Sequence, residues 1–518
     1  MNDIATCVRS LLCGGEMALA RRNNSLNRTE MNCVFWRSHR SGFPHRIPSV
    51  VLLFAAIAAT AAAAIASPAP NVLFIVVDDL NTALGCYGDP LAKTPNVDRL
   101  AARGVRFDQA SCQYPLCNPS RVSFLSGRRP ESTGVYVLST TARAALPDAV
   151  LLPQFFKQHG YFTVGHGKIF HNAHGSDPAC WDRYTDNDGN DPGEKQAIKD
   201  RYGLGDGRPA WTMLDSDGTQ TRDGLTASAI AGLLADRKEG APPFFLAAGF
   251  HKPHLPWTAP RKFFDLHKVK DFERPAEPAM TGIPPIALQT ELTGFEQPNT
   301  PADARRAYYA CVSFMDYQVG LLLNELDRHD LWRNTIVVFF SDHGFHLGDH
   351  GGLWAKLSAF QIATRVPLII AGPGVPAGRT VGSPVELIDV YPTLVALAGL
   401  QAPQGLQGRS LTDRWQGANP AQHPAYSLVF HYDVAHKRDV MGRSVMTDSW
   451  RYTTWDNGAQ GREFYRWSLD PGEYVNRVDD PAQRDLVTQG ESLLKMVPVP
   501  KPGPSQRPRA LIPAKGKK

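Results

Sequence analysis

The stretch Asn71–Val77, NVLFIVV, runs without a break into Asp78 and Asp79. Seven residues that are almost all apolar and rich in β-branched side chains are typical of a strand buried on both faces of a parallel sheet. Phe244–Phe250 (FFLAAGF) and Thr335–Phe340 (TIVVFF) have the same character, and segments with helical periodicity alternate with such runs. This alternation predicts an α/β fold with a mostly parallel sheet flanked by helices.

Ionisable side chains follow the ends of these predicted strands. Open α/β sheets bind their ligands at the carboxyl ends of the strands, so these side chains predict a site at that edge. The residues concerned are Asp78 and Asp79, then His251, then Asp342 and His343, and, after a weaker run over 161–164, Lys168 and His171. Lys168 and His171 are three residues apart, which would place them on one face of a helix. The turn His-Lys-Pro-His does not reveal whether His251 or His254 faces the site.

The carboxylates among these residues indicate a metal site. Oxygen ligands clustered at strand ends suit a hard divalent cation, Ca²⁺ or Mg²⁺. Imidazole is a poor ligand for such ions, so His343 could instead lie beside the metal and contact the nucleophile or the substrate. The pair Asp78-Asp79 taken alone is also common in turns.

The stretch from Cys117 to Arg128, CNPSRVSFLSGR, has the pattern of a helix start. Pro119 fits the first turn, where its missing N–H has no partner to lose, and a helix from Pro119 to Gly127 is predicted. The N-terminus of such a helix favours an anion, and Arg121 is close enough to reach it. The alternative is an ordinary helix that begins at a buried cysteine.

The same stretch resembles the C-x-P-S-R-x-x-x-L-[ST]-G-R signature of the type I sulfatases, a branch of the alkaline phosphatase superfamily. The resemblance runs from about 71 to 476 and is closest to the iduronate-2-sulfatase group and its bacterial relatives. It includes VDDLNTALGCYGD, GKIFH, FFLAAGFHKPHLP, SDHGFHLGDHGGLWAK and EFYRWSLDPGEYVNR. Many sulfatases have Asp-Asn where this chain has Asp342-His343, and the His variant is typical of the iduronate-2-sulfatase group.

The resemblance implies an alkaline-phosphatase-like sheet and hydrolysis of a sulfate ester of a carbohydrate. It implies that a maturation enzyme converts Cys117 to formylglycine. The implied calcium ligands are Asp78, Asp79, Asp342, His343 and the modified residue 117. The residues implied to bind or activate the sulfate are Arg121, Lys168, His171, His251 and Lys356.

The substrate is left open, because segments 174–220, 272–301 and 431–438 differ from the animal enzyme. A sulfated uronic acid and another sulfated polysaccharide unit are equally compatible with the sequence. Two other functions also remain: a formylglycine-dependent hydrolase of phosphonate or phosphate esters, and an inactive carbohydrate-binding homologue if Cys117 is not matured.

The ends of the chain differ from its body. Residues 49–66 are apolar after Arg37, Arg40 and Arg46, and end in Ala64-Ile65-Ala66, which predicts a signal peptide cleaved near Ala66 and export. A membrane anchor over 49–66 is the alternative. The net charge is +5, but residues 1–66 carry +4 and 499–518 carry +6, so the body carries −5. Neither a nucleic-acid partner nor a stable membrane partner is expected.

Four segments follow from these patterns. Residues 1–66 form the presequence, 67–400 the catalytic domain, 401–498 a C-terminal subdomain with a small antiparallel sheet, and 499–518 a basic, proline-rich disordered tail. Once Cys117 is reserved for chemistry, Cys86, Cys112, Cys180 and Cys311 remain after the presequence, enough for at most two disulfides.

Overall fold

The computed structural model describes residues 69–171, 176–186, 192–202, 211–290, 300–416, 423–433 and 435–503. The predicted presequence, its cleavage site and the alternative anchor lie outside these residues, as does the tail from residue 504 onward. Within the described ranges no helix combines the length and apolarity needed to cross a bilayer.

The secondary structure is as follows. The strands are β1 (Asn71–Val77), β2 (Gly104–Ser111), β3 (Phe162–Gly167), β4 (Arg183–Thr185), β5 (Trp211–Leu214), β6 (Phe244–Phe250), β7 (Trp257–Pro260), β8 (Thr335–Ser341), β9 (His346–Asp349), β10 (Leu353–Ala355), β11 (Arg365–Ala371), β12 (Arg379–Val381), β13 (Val385–Glu386), β14 (Ala425–Asp433), β15 (Arg438–Met446), β16 (Trp450–Trp455) and β17 (Arg462–Arg466).

The α-helices are α1 (Pro95–Arg103), α2 (Cys117–Ser126), α3 (Pro130–Thr133), α4 (Ala142–Ala145), α5 (Leu152–Gln158), α6 (Pro192–Tyr202), α7 (Arg222–Ala235), α8 (Arg261–Phe264), α9 (Pro301–Arg328), α10 (Gln361–Thr364), α11 (Val390–Leu397), α12 (Thr412–Trp415) and α13 (Arg484–Leu494). Short 3₁₀ turns lie at Gly85–Tyr87, Pro178–Cys180, Val269–Phe272, Pro285–Leu288, Leu331–Asn334, Leu387–Asp389, Asp456–Gly458 and Pro481–Gln483.

A mixed, mostly parallel sheet forms the centre of the fold. Counting only described residues, it has nine strands in the order β12-β2-β11-β8-β1-β6-β3-β4, with β13 paired to β2. The strands from β8 to β4 in this order are all parallel, whereas β11 runs antiparallel to both β8 and β2. The predicted α/β class and mostly parallel sheet are therefore confirmed.

Strand β1 is apolar throughout because both of its faces are covered. Leu73, Ile75 and Val77 pack into a core that includes α9 and α7, while alternate residues pack into a second core with α2 and α11. Phe74 illustrates the second core: its ring meets Phe340 edge-on at a centroid distance of 5.2 Å. A strand buried on both sides has no polar face to show in its sequence, which explains the continuous run NVLFIVV.

A separate antiparallel sheet, β14-β15-β16-β17, follows in the chain. Helix α13 packs its apolar side on this sheet, where Tyr452, Phe464 and Val487 share one core. The predicted small C-terminal sheet and helix are thus present, and the boundary near residue 400 stays a prediction. At the start of the tail, Lys501 accepts a hydrogen bond from the Tyr136 hydroxyl and donates its N–H to the carbonyl of Glu131.

Candidate active site

Four neighbouring parallel strands deliver the predicted site residues to one edge of the sheet. In the order β8, β1, β6 and β3, they end immediately before Asp342, Asp78, His251 and Lys168. Because all four strands run in the same direction, their carboxyl ends meet, and side chains separated by more than 260 positions in sequence become neighbours.

Helix α2 brings Cys117 to this edge. The helix begins at Cys117 itself, two residues earlier than predicted, so Pro119 is its third residue and still lies in the first turn. Gly127 ends the helix with a left-handed backbone, φ 64°, that glycine adopts without strain. The whole helix is buried, and the Ser120 hydroxyl fixes its start by donating to the carbonyl of Asp342 at 2.5 Å.

Arg121 ties the two carboxylate-bearing strands together. Its Nε lies 2.8 Å from Asp342 Oδ2, and its Nη2 lies 3.4 Å from Asp78 Oδ1. Its Nη1 donates to the carbonyl of Lys168, which links the same side chain to the end of β3. Arg121 therefore orders three strand ends, and its Nη2, which has no hydrogen bond to any described residue, has donor capacity left for an anion.

Cys117 lies among cationic groups. His343 Nε2 is 3.3 Å and Lys356 Nζ is 3.2 Å from its sulfur. Burial and the charge of Asp78 act to raise the pKa of the Cys117 thiol. Lys356, Lys168 and His343 outweigh both and hold that pKa well below its usual value. The surroundings of residue 117 therefore favour a negative charge at the position of its side-chain terminus.

The cations around Cys117 are themselves paired with the acids. Lys356 Nζ donates to Asp79 Oδ1 at 2.5 Å, and Lys168 forms an ion pair with Asp78. Burial acts to raise the pKa of Asp78, but Lys168, then His254 and Arg121, hold it well below its usual value. Both lysines are thus placed by the acids that directly follow β1, at the edge where Cys117 lies.

The acids fit a divalent cation. One donor atom from each of Asp78, Cys117, Asp342 and His343 lies within 4.8 Å of the others, a spread compatible with Ca²⁺–oxygen distances of about 2.3–2.6 Å. Asp78 Oδ1 is buried and has no hydrogen-bond partner among the residues that the structure describes. Burial raises the pKa of Asp342 to about 7 despite Arg121 beside it. An additional positive charge would satisfy both carboxylates, so the donor set fits the metal that the sequence predicts.

Both histidines of the turn from His251 to His254 have their rings at the site. His254 Nε2 lies 3.9 Å from Asp79 Oδ2, and donor atoms of His254, Asp79 and Cys117 fall within one 4.8 Å cluster. The ring of His251 lies 4.8 Å from that of His254, and donor atoms of both are clustered with Asp78. His254 is therefore a site residue that sequence patterning left undecided.

His171 differs from the other candidates. Residues 168–171 form a bend after β3, so the helix that would place Lys168 and His171 on one face is absent from this segment. The His171 ring is half-buried, and in the described part of the chain its Nδ1 has no hydrogen-bond partner. No contact recorded among the described residues joins it to Cys117, so its role stays a prediction.

Asp223, on α7, holds the turn from His251 to His254 in place, and no sequence pattern identified it. Its carboxylate accepts the backbone N–H of His251 at 2.7 Å and that of Lys252 at 2.9 Å. The Lys252 ammonium points away from Cys117 and donates to Glu194 and to the carbonyl of Pro256.

The five cysteines after the presequence, all described, are free thiols.

Comparison with known proteins gives a consistent result. The family model described as Sulfatase matches residues 70–400, and a model described as N-sulphoglucosamine sulphohydrolase, C-terminal, matches residues 348–498. A sulfatase of Formosa agariphila is 34% identical over 444 residues, covering 79% of this chain and 83% of the relative. Human iduronate 2-sulfatase is 34% identical over 471 residues, covering 74% of this chain and 84% of the relative.

Solved structures share the fold. A protein in complex with its substrate D-glucosamine-2-N,6-O-disulfate superposes with a TM-score of 0.66 at 23% identity, covering 82% of this chain and 97% of that one. The phosphonate monoester hydrolase of Agrobacterium radiobacter superposes with a TM-score of 0.67 at 21% identity, covering 82% and 95%. At these identities the likeness establishes the fold alone.

Proposed function

The chain belongs to the sulfatase family of hydrolases, and we propose that it removes sulfate from a sulfated carbohydrate through a formylglycine made from Cys117. The observation that carries this proposal is the position of Cys117. It lies at the start of a buried helix, within 3.3 Å of His343 and 3.2 Å of Lys356, at the edge where the acidic strand ends meet.

Residue 117 would supply the nucleophile. As a hydrated aldehyde it carries two hydroxyls on one carbon: one bonds to sulfur while the ester oxygen leaves, and loss of the proton of the other expels sulfate and restores the aldehyde. A divalent cation held by Asp78, Asp79, Asp342, His343 and residue 117 would offset the charge of the sulfate group.

The other residues act on charge and protons. Lys356 and Lys168 are buried cations beside the nucleophile, so they stabilise the negative charge that shifts onto the ester oxygen as the S–O bond breaks. Arg121 offers its free Nη2 donor to the same anion. His254 is the candidate proton donor to the leaving alcohol: burial acts to lower its pKa, but Asp79 outweighs burial and raises that pKa. Burial, and then His254 and Lys168, hold the pKa of His251 well below its usual value, so His251 would contact the substrate as a neutral ring. His171 remains a proposed member of this set.

The proposed substrate is a sulfated sugar of an acidic polysaccharide, such as a sulfated uronic acid. The named relatives support this class, since one is an iduronate 2-sulfatase. We further propose that the chain is exported and that a maturation enzyme acts on Cys117.

Parallel turnover of an aryl sulfate, an aryl phosphate monoester and an aryl phosphonate monoester tests the proposal. We expect the sulfate to be hydrolysed fastest and Cys117→Ala to abolish that activity while leaving the thermal unfolding midpoint within the wild-type range. Faster turnover of the phosphonate would replace the proposal with the phosphonate hydrolase alternative. No turnover of any ester, together with an unmodified thiol at Cys117 in protein from its own host, would leave the carbohydrate-binding alternative.

A further inference from the structure

Lys356 lies in a segment with an unusual backbone. Its two neighbours, Ala355 at φ 73° and Leu357 at φ 62°, are both non-glycine residues in the left-handed region. Each such residue carries a conformational cost and persists only where the surroundings enforce it. The segment that carries Lys356 to Asp79 and Cys117 therefore needs anchors on both of its sides.

The anchor on the C-terminal side comes from the small antiparallel sheet. Glu473 accepts the backbone N–H of Gln361 at 2.9 Å, five residues after Lys356. The same carboxylate accepts two hydrogen bonds from the guanidinium of Arg451 on β16, at 2.8 and 3.1 Å. Arg451 also lies over the ring of Phe360, 5.3 Å from its centroid. The side chains of Arg451 and Glu473 are almost fully buried, so this pair fixes the start of α10 from the protein interior.

The anchor on the N-terminal side comes from the residue next to Glu473. The β9–β10 hairpin leads into Lys356, and the ring of His350 at its turn is stacked between Phe360 and Tyr474, at centroid distances of 4.1 and 5.0 Å. Glu277 links the same two elements, because it accepts from the N–H of Gly351 at 2.9 Å and from the Tyr474 hydroxyl at 3.1 Å.

We propose that Glu473, paired with Arg451, is a positioning residue that holds Lys356 at the nucleophile by clamping both arms of its loop. We call Arg451, Glu473 and Tyr474 the clamp. Glu473 and Tyr474 lie in the C-terminal segment DPGEYVNR, and these contacts give the glutamate of that motif a physical role. The inference rests on the proposed function only in giving Lys356 a role in sulfate ester hydrolysis.

The first test removes the charge of the clamp with Glu473→Gln. We expect kcat with an aryl sulfate to fall about 10- to 100-fold, with KM changed less, since a displacement of about 1 Å has that effect on positioned groups. Lys356 is 4% exposed in the wild type, so its acylation by an amine reagent, read from the peptide mass relative to exposed Lys495, should rise about tenfold as the loop opens.

Rescue separates positioning from general destabilisation. Adding Ala355→Gly to Glu473→Gln removes the cost of one left-handed residue, and we expect kcat to recover by about fivefold. The control Glu386→Gln removes the partner of another buried arginine, Arg129, away from Lys356. It should lower the unfolding midpoint comparably but leave kcat and Lys356 labelling at wild-type values.

A second pair of variants applies if Glu473→Gln does not fold. Tyr474→Leu removes the stacking on His350 and leaves the ion pair, so it should raise Lys356 labelling and lower kcat. Tyr474→Phe keeps the ring and loses only the hydrogen bond to Glu277, so it should change both readouts less than Tyr474→Leu does. Wild-type labelling and kcat in folded Glu473→Gln and Tyr474→Leu would overturn the clamp. A wild type without sulfate ester turnover would refute the proposed function instead, and the labelling would still test the clamp.

Discussion

Replacing Lys356 with methionine tests how strongly one buried cation supports the reaction. Methionine keeps an unbranched chain of similar length and removes the charge from a side chain that is 4% exposed. The ammonium lies 3.2 Å from Cys117 Sγ, which marks where the reacting oxygen of the matured residue would lie. The charge is thus removed at the reacting centre with little change in packed volume.

The expected loss follows from this distance. Two unit charges 3.2 Å apart attract by about 5 kcal/mol at an effective dielectric constant of about 20. Only the part of this energy that grows between the bound ester and the transition state affects kcat. Deleting one well-placed donor in comparable sites costs about 2.7–4 kcal/mol, so we expect kcat to fall about 10²- to 10³-fold.

Steady-state hydrolysis of an aryl sulfate by Lys356→Met measures this loss, with the unfolding midpoint recorded for the same preparation. Lys157→Met is a matched control, because Lys157 has an ion pair with Asp182 at 3.2 Å but lies outside the site. The control should retain wild-type kcat, since exposed pairs of this kind contribute about 0–1 kcal/mol to stability. A Lys356→Met enzyme with wild-type kcat would refute the electrostatic role derived from the 3.2 Å contact.

Three further outcomes are expected. Chelation with EDTA should lower the unfolding midpoint and Ca²⁺ should restore it, since a ligand at 100 times its Kd adds about 2.7 kcal/mol; an unchanged midpoint would contradict the metal site. Phe74→Ala should lower the free energy of unfolding by about 3–5 kcal/mol, measured by denaturant titration, because that ring is fully buried between Phe124, Phe245 and Phe340. Burial raises the pKa of Asp316 to about 6, so folded wild type binds more protons than unfolded chain between about pH 4 and pH 6. Its midpoint should therefore fall relative to Asp316→Asn as pH rises through that window, and parallel curves would contradict this shift.

Much of the sheet could be predicted from sequence because each of its central strands is marked by a continuous apolar run. Both Asn71–Val77 and Phe244–Phe250 have the bounds that their apolar runs indicate, and the strand predicted over Thr335–Phe340 extends by one residue. The convergence of Asp78 and Asp342 follows from the parallel direction of their strands. Local pattern and the direction of the chain are sufficient for these features.

Other features depend on contacts that no local pattern encodes. The antiparallel direction of β11 was not predicted, because a buried strand has the same composition in either direction. The bend at Lys168 and the inward direction of His254 are set by the path of the backbone. The clamp from Glu473 to the Lys356 loop joins residues more than 100 positions apart, and only the folded chain reveals it.

The mass of the tryptic peptide that contains residue 117, from protein purified from its own host, tests the central claim most directly. We expect a peptide lighter by about one water than the unmodified cysteine form, trapped by an aldehyde reagent, in a preparation that hydrolyses an aryl sulfate. An unmodified thiol at residue 117 in a preparation that still hydrolyses the sulfate would contradict it.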